Sequence, residues 1–488
     1  MIFQLLSSVM LCAAAPVTAP LEAPREAPEE ASRTQAVDAG TISSSNASYD
    51  GNALILKGQV LLDHGLGKMQ AEEAILQKQE VGKDFPFSLI HLEKDVHLKL
   101  NQNGELKCEK ADLDFGSLKG FLTSTHRVSY TDTLKRKRGK SPSFQLTSSA
   151  IDLQFLKKSD QPKISYDVHN ILARENVELA YAEGFTLFTD AILYQKELLN
   201  PASNEFQSHL SSQGKQKCKL VHQADTIEAD SFNLDILHSR LVMTNPVGIL
   251  PSLSKGEVRF TAESLLWNHE QNSLVLKGNP TVQEPNLGTV VSDKEIYLFQ
   301  KDKNLVGFKS FGKTTLTFLN SHQLISHGSL NFDREKNLGT VESPIINGVV
   351  PEELQLSYKE GEMALLADKA HIEYTEENGS FQPISVSLKG HVKISSVGDQ
   401  PTRYGLADRL TYSPTTRTFI LGADPGKKVL FVNAEDNLRI SAQEVHITQD
   451  PTTKKQTVKG LGNVQLALST EEQASLNKHF GKYAPASP

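Results

Sequence analysis

The sequence predicts an all-β fold: an elongated, twisted, solenoid-like stack of short antiparallel strands, open at both ends and divided into as many as three units. Three observations carry that expectation. Apolar residues make up 38% of the 488 positions and mean hydropathy is -0.34, which suits many thin cores better than one thick core. Two short phrases, each with a period of two, alternate over nearly the whole chain. Turn-forming segments such as Asp50-Gly51, Asn103-Gly104, Asn378-Gly379 and Ser413-Pro414 separate them.

The first phrase joins an alternating apolar run to Lys-Gly and then a β-branched residue. It runs Leu54-Ile55-Leu56-Lys57-Gly58-Gln59-Val60-Leu61-Leu62. It returns from Leu274 through Lys277-Gly278 to Val282, from Val386 through Lys389-Gly390 to Ile394, and, stretched, from Val458 through Lys459-Gly460 to Leu466. Lys94-Asp95-Val96 and Glu175-Asn176-Val177 are echoes without the glycine. The second phrase is a small residue, an acid, any residue and an apolar residue. Examples are Ala71-Glu72-Glu73-Ala74, Ala111-Asp112-Leu113, Ala229-Asp230-Ser231-Phe232, Ala262-Glu263-Ser264-Leu265, Ala367-Asp368-Lys369-Ala370 and Ala407-Asp408-Arg409-Leu410.

In chain order, residues 1–19 carry the apolar run and small-residue end of a secretory signal, and 20–39 form a Pro/Ala/Glu-rich linker. A strand-rich unit is expected over 40–125. Residues 126–220 match the phrases poorly and are expected to be a divergent β segment or insertion, with a solvated basic loop at 135–140. Further units are expected over 221–469. Ser469-Thr470-Glu471-Glu472 then opens a short helix from Thr470 to Phe480, ahead of a tail to 488. No later run reaches the roughly 18 apolar residues of a membrane span, so the mature protein is expected to be soluble.

Charge and motifs narrow the function by exclusion. With 51 basic and 58 acidic residues the formal charge is -7, so there is no global positive field and nucleic acid is not an expected partner. Gly307-Phe308-Lys309-Ser310-Phe311-Gly312-Lys313-Thr314 fits the spacing of a phosphate-binding loop. Such a loop needs a helix N-terminus after it, whereas Thr314 to Leu319 alternates like a strand, so no nucleotide is expected. The 15 histidines form no metal-binding spacing, and no nucleophile elbow occurs. The acids of the second phrase recur singly, as solvated capping positions do. No catalysis, metal or cofactor is expected. An export compartment permits a disulfide between Cys108 and Cys218, but nothing in the sequence brings them together, and two separate small residues are the default.

The order Tyr49-Asp50-Gly51-Asn52, Leu54 to Val60, then Gln70-Ala71-Glu72-Glu73-Ala74 resembles the OstA/LptA family of lipopolysaccharide transport proteins. The likeness covers residues 40 to 470 and is strongest at 45–78, 360–395 and 404–468. It implies a long, twisted β-jellyroll with an apolar interior and a periplasmic location after signal cleavage. It also implies a bridging role, in which the lipid A acyl chains of lipopolysaccharide pass along that interior toward the outer membrane. The chain departs from the family in being much longer than a typical member.

On this reading the inward phase lines a lipid groove: Leu54, Leu56, Gly58, Val60 and Leu62; Leu274, Leu276, Gly278 and Val282; Val386, Leu388, Gly390, Val392 and Ile394; Val458, Gly460, Val464 and Leu466. The glycines share that phase. Stacked, they leave a slot for an acyl chain, or they mark bends where strands cross a tight corner. Open ends invite end-to-end strand addition by other β-jellyroll transport components, near residues 40–62 and 456–468. The competing reading is an exported β-solenoid, structural or adhesin-like, with a filled core and no lipid ligand.

Overall fold

A computed structural model describes residues 41–480, apart from 79–86, 102–103, 134–142, 160–164, 182–183, 201–204, 253–255, 269–272, 303, 320, 362, 378–379, 397–401, 451 and 454. The expected signal segment, linker, basic loop and tail lie outside the described residues. From Gly40 onward the chain is one compact unit. It is nearly all antiparallel β structure in one continuously hydrogen-bonded set of strands. No helix among the described residues is long and apolar enough to cross a membrane.

The strands form two facing sheets, and the chain passes from one to the other again and again. Ala53–His64 shows the scheme. Residues 53–57 pair with 73–77 in the first sheet, the register breaks between Lys57 and Val60, and 60–64 pair with 67–71 in the second. The long strands that follow, up to Phe185–Asn200, bend in the same way, and all are meander neighbours. Beyond Asn200 the two halves become separate strands. Asp225–Ala229 and Val247–Pro251 pair in the second sheet, while Ser231–Asp235 and Arg240–Thr244 pair in the first. The described strands within 126–220 pair in the same ladder, although their phrases are degenerate. With roughly two dozen strand segments per sheet at about 4.8 Å each, the stack runs on the order of 110 Å along the hydrogen-bonding direction.

Alternation places one face of each strand inside. Leu56, Val60 and Leu62 are buried, as are Leu274, Leu276 and Val282, and Leu388 and Val392. Leu54, Val386, Ile394 and Val458 are half-buried against the same core. The inward phase survives the corner because the corner inserts two residues, an even number.

Each phrase is one way of turning a corner. Several passages from first sheet to second take two consecutive left-handed residues: Gly58 and Gln59 (φ 76° and 49°), Gly278 and Asn279 (74° and 48°), Gly390 and His391 (77° and 43°). The echoes Lys94-Asp95 (65° and 49°) and Glu175-Asn176 (67° and 53°) turn the same corner without glycine. The glycines therefore form a bend and not a slot: a Cβ on Gly278 would lie 2.4 Å from the Glu263 carboxylate, and one on Gly390 2.3 Å from that of Asp368. In the last copy the left-handed pair is Gly462-Asn463, two residues later than expected, and Gly460 lies in the strand Gln456–Leu461. Val464 and Leu466 follow that corner and are 45% and 72% exposed, so they do not line the interior.

Passing back, from second sheet to first, uses the small residue and acid. The acid reaches the neighbouring corner and caps it. Asp230 accepts from the Asn245 amide at 2.8 Å, Glu263 from the Asn279 amide at 3.1 Å, and Asp293 from the Lys313 backbone N–H at 2.8 Å. Asp408 accepts from the Asp424 N–H at 2.8 Å. In the early strands the corner is Cys108-Glu109, three residues before the expected Ala111-Asp112. There Glu109 accepts from both the hydroxyl and the N–H of Thr125, which hold its carboxyl below the ordinary range.

The helix Thr470–Phe480 has both halves of its capping box: the Ser469 N–H donates to Glu472 and the Glu472 N–H to Ser469. It packs Leu476 and Phe480 onto the outer face of the second sheet, against Tyr404, Leu406, Leu430 and Val432.

The corner account makes a paired prediction. Gly278→Ala should lower the unfolding free energy by about 2 kcal/mol, through the left-handed φ and the clash with Glu263. Gly339→Ala, whose Cβ would have its nearest neighbour at 3.6 Å, should stay within about 0.5 kcal/mol of the parent in denaturant titrations. Equal losses at the two sites would contradict it.

Candidate functional site

The sheets meet at the corners along one side. Along the other, hairpin loops of the two sheets face each other across a seam. From His64 to Arg334 this seam is bridged. The His64 ring lies 4.1 Å from Phe115 and 5.5 Å from Tyr166, and the Tyr166 N–H donates to the Gly65 carbonyl. Burial drives the His64 imidazole down to about 4, so it sits there neutral. Further along, Phe185 and His222 pack on Trp267, and Gln300 donates to Asp225. Behind this seam the interior is filled by large side chains, among them Phe144, Phe155, Tyr194 and Phe260.

The last bridge is ionic. Arg334 is 7% exposed and donates to Ser252 at 2.9 Å, to Glu284 at 3.3 Å and to Glu376 at 2.9 and 3.1 Å. Glu284 also accepts from Ser252 and from the N–H groups of Asn286 and Leu287. A buried ion pair needs such saturation, because the desolvation of both charges otherwise exceeds their attraction.

Past Arg334 the sheets enclose an apolar cavity of about 500 Å³. Leu330, Phe332, Val341, Ile372, Leu388 and Leu410 line it from the first sheet, and Leu316, Leu324, Leu356, Met363 and Leu365 from the second. The room comes from short side chains on the inward phase: Gly339 and Ala370 occupy positions that larger residues fill elsewhere. Phe332, Tyr374 and Phe381 line it beside Arg334, with Phe332 and Tyr374 stacked 4.8 Å apart. At the seam side stand His322, Tyr358 and Glu360, with Tyr412 opposite. The His322 Nδ1 lies 3.1 Å from the Tyr358 hydroxyl, which donates to Glu360 at 3.0 Å. Burial, then the Glu360 charge, hold the Tyr358 phenol far above its ordinary range.

Of the residues expected to line a groove, Val386 and Leu388 line this cavity. The others that are buried belong to the filled core. The cavity's polar residues have one signal in the sequence: Leu356, Tyr358 and Glu360 share a phase, which puts a carboxylate on the inward side of a strand.

Elsewhere, Cys108 and Cys218 are both free and buried, and burial pushes their thiols up to about 12 and about 11. The segment Gly307–Thr314 is strand, corner and strand, and Thr314–Phe318 stands where a phosphate loop would need a helix. Lys313 donates its N–H to Asp293 as part of the corner ladder. Among the described residues, no three His, Cys, Asp or Glu side chains are grouped to hold a metal. In comparisons with known proteins, the chain matches no family model and no curated sequence.

Arg334→Ala should cost about 3–5 kcal/mol in unfolding free energy, because it strands the buried Glu284 carboxylate. Adding Glu284→Gln should recover part of that loss. A single-variant loss below about 1 kcal/mol would mean that the bridge does not hold the seam.

Proposed function

We propose that this chain is a non-enzymatic, exported lipid carrier that shields acyl chains in the cavity between its sheets, acting in the periplasm in lipopolysaccharide transport to the outer membrane. The ligand class and compartment rest on the resemblance to the OstA/LptA family. The observation that carries the reading is the apolar cavity beyond Arg334. Its volume of about 500 Å³ lies within the usual range of small-ligand sites, roughly 300–1,000 Å³. Left dry and empty, a void of that size would cost on the order of 10 kcal/mol at about 24 cal/mol per Å³. That is comparable to the whole stability of a typical domain, about 5–15 kcal/mol, so the space calls for water or a ligand. An acyl chain suits the lining, since each buried methylene is worth about 0.8 kcal/mol and ten would contribute about 8.

A second reading has its own observation. Between Leu56 and Arg334 the interior is packed with side chains, which favours a structural stack over a through-going channel.

Photo-crosslinking in cells separates the two. A photoreactive residue at Leu324 or Leu388 should yield lipopolysaccharide adducts. The same residue at Leu106 and Leu153 in the filled core, or at outward Lys57, should not. No adduct at any position in a folded, exported protein would leave the structural stack as the function.

A further inference from the structure

The cavity's polar groups say what kind of head group it accepts, an inference that rests on the lipid-carrier reading. Among the described residues, its lining contains no Lys and no Arg. Glu360 is the one carboxylate among the described lining residues. The remaining polar lining is uncharged: Asn286, Asn331, Gln382, Thr340 and the tyrosines.

Two guanidiniums act on lining residues. Arg334 lies 5.1 Å from the Phe381 ring centroid, but it is committed to Glu284 and Glu376. Arg417 is exposed on the hairpin beyond Tyr412. A phosphate or carboxylate drawn into the cavity would face the Glu360 carboxylate, and the described lining residues would offer it no cation. Burying such a charge unpaired is costly, whereas anion sites are built from Arg, Lys or clustered N–H groups.

The mouth instead suits a hydrogen-bond donor without negative charge. The Tyr358 hydroxyl already donates to one Glu360 oxygen at 3.0 Å. The other oxygen lies 3.8 Å from the His322 Nε2, too far for a hydrogen bond between them, which leaves it able to accept from a hydroxyl that approaches from the groove. Glu360 thus supplies an acceptor, and the His322 and Tyr358 side chains fix its orientation.

We propose that the His322–Tyr358–Glu360 mouth selects amphiphiles with a neutral, hydroxyl-bearing head, such as the sugar of a glycolipid, and disfavours those whose anionic group would sit at the cavity entrance. Any phosphates on the ligand stay outside the groove, and the acyl chain enters beside a sugar hydroxyl.

The test uses the full chain loaded with an apolar fluorescent probe, displaced by dodecyl maltoside or dodecyl phosphate below their micelle-forming concentrations. Dodecyl maltoside should displace the probe at about a tenfold lower concentration, the scale of one charge-assisted hydrogen bond. Glu360→Gln should narrow the gap to about twofold, and Glu360→Lys should reverse it, both at a half-buried position at the cavity mouth where folding is retained. Equal or tighter displacement by dodecyl phosphate, or a gap unchanged in Glu360→Gln, would overturn the head-group assignment while leaving the carrier reading intact. Displacement by neither amphiphile would overturn the carrier reading itself, and the assignment with it.

Discussion

Everything in this structure depends on how the backbone turns between two sheets without losing its hydrogen bonds. A strand that bends through a sharp corner leaves N–H and C=O groups without ladder partners, and buried ones are costly to abandon. The chain meets that constraint with two devices that alternate along its length. Left-handed residues, two in a row at several corners, swing it one way, and a small residue followed by an acid swings it back. The acid then reaches sideways to the adjacent corner, as Glu263 does to Asn279 and Asp293 to Lys313, so that each turn is held by its neighbour. Because each repeat contacts mainly the repeats beside it, such a stack tolerates local variation. Lys94-Asp95 replaces the glycine pair at one corner, and the ladder continues unchanged.

Once the corners set the spacing of the sheets, side-chain volume decides whether the interior is solid or hollow. Aromatic residues such as Phe144, Phe155 and Tyr194 fill the first part at the density of a protein core. Gly339 and Ala370 leave the later part unfilled. Arg334 stands between the two regimes. Its bridge to Glu284 draws the loops together at the last point where the core is packed. One architecture therefore supplies a stiff rod and a ligand-sized groove.

Much of this was legible in the sequence, for physical reasons. A period of two survives any even insertion, so the inward phase of Leu54, Leu56, Val60 and Leu62 can be read straight through the bend at Gly58-Gln59. The two phrases were visible because corners constrain backbone conformation more tightly than strands do. What they meant was harder to see. The glycines share the inward phase, yet their left-handed φ makes them part of the corner. The shift from Gly460 to Gly462 changed which residues follow the last corner, and it left Val464 and Leu466 exposed. The groove was illegible for another reason. It depends on which inward positions face each other across the sheets, and that pairing joins strands far apart in the chain. Arg334 and Glu284 lie fifty residues apart and meet only through the seam.

The most direct test of the central claim, that one stretch of this stack is hollow and holds an acyl chain, is hydrogen–deuterium exchange on the full chain with and without lipid A. A ligand in the groove should slow exchange in the lining strands Thr314–Phe318, Leu356–Glu360 and Met363–Ala367 and around Leu388 and Leu410, and leave the filled stretch from Leu56 to Phe260 unchanged. Protection spread evenly along the stack, or confined to its filled part, would contradict the account.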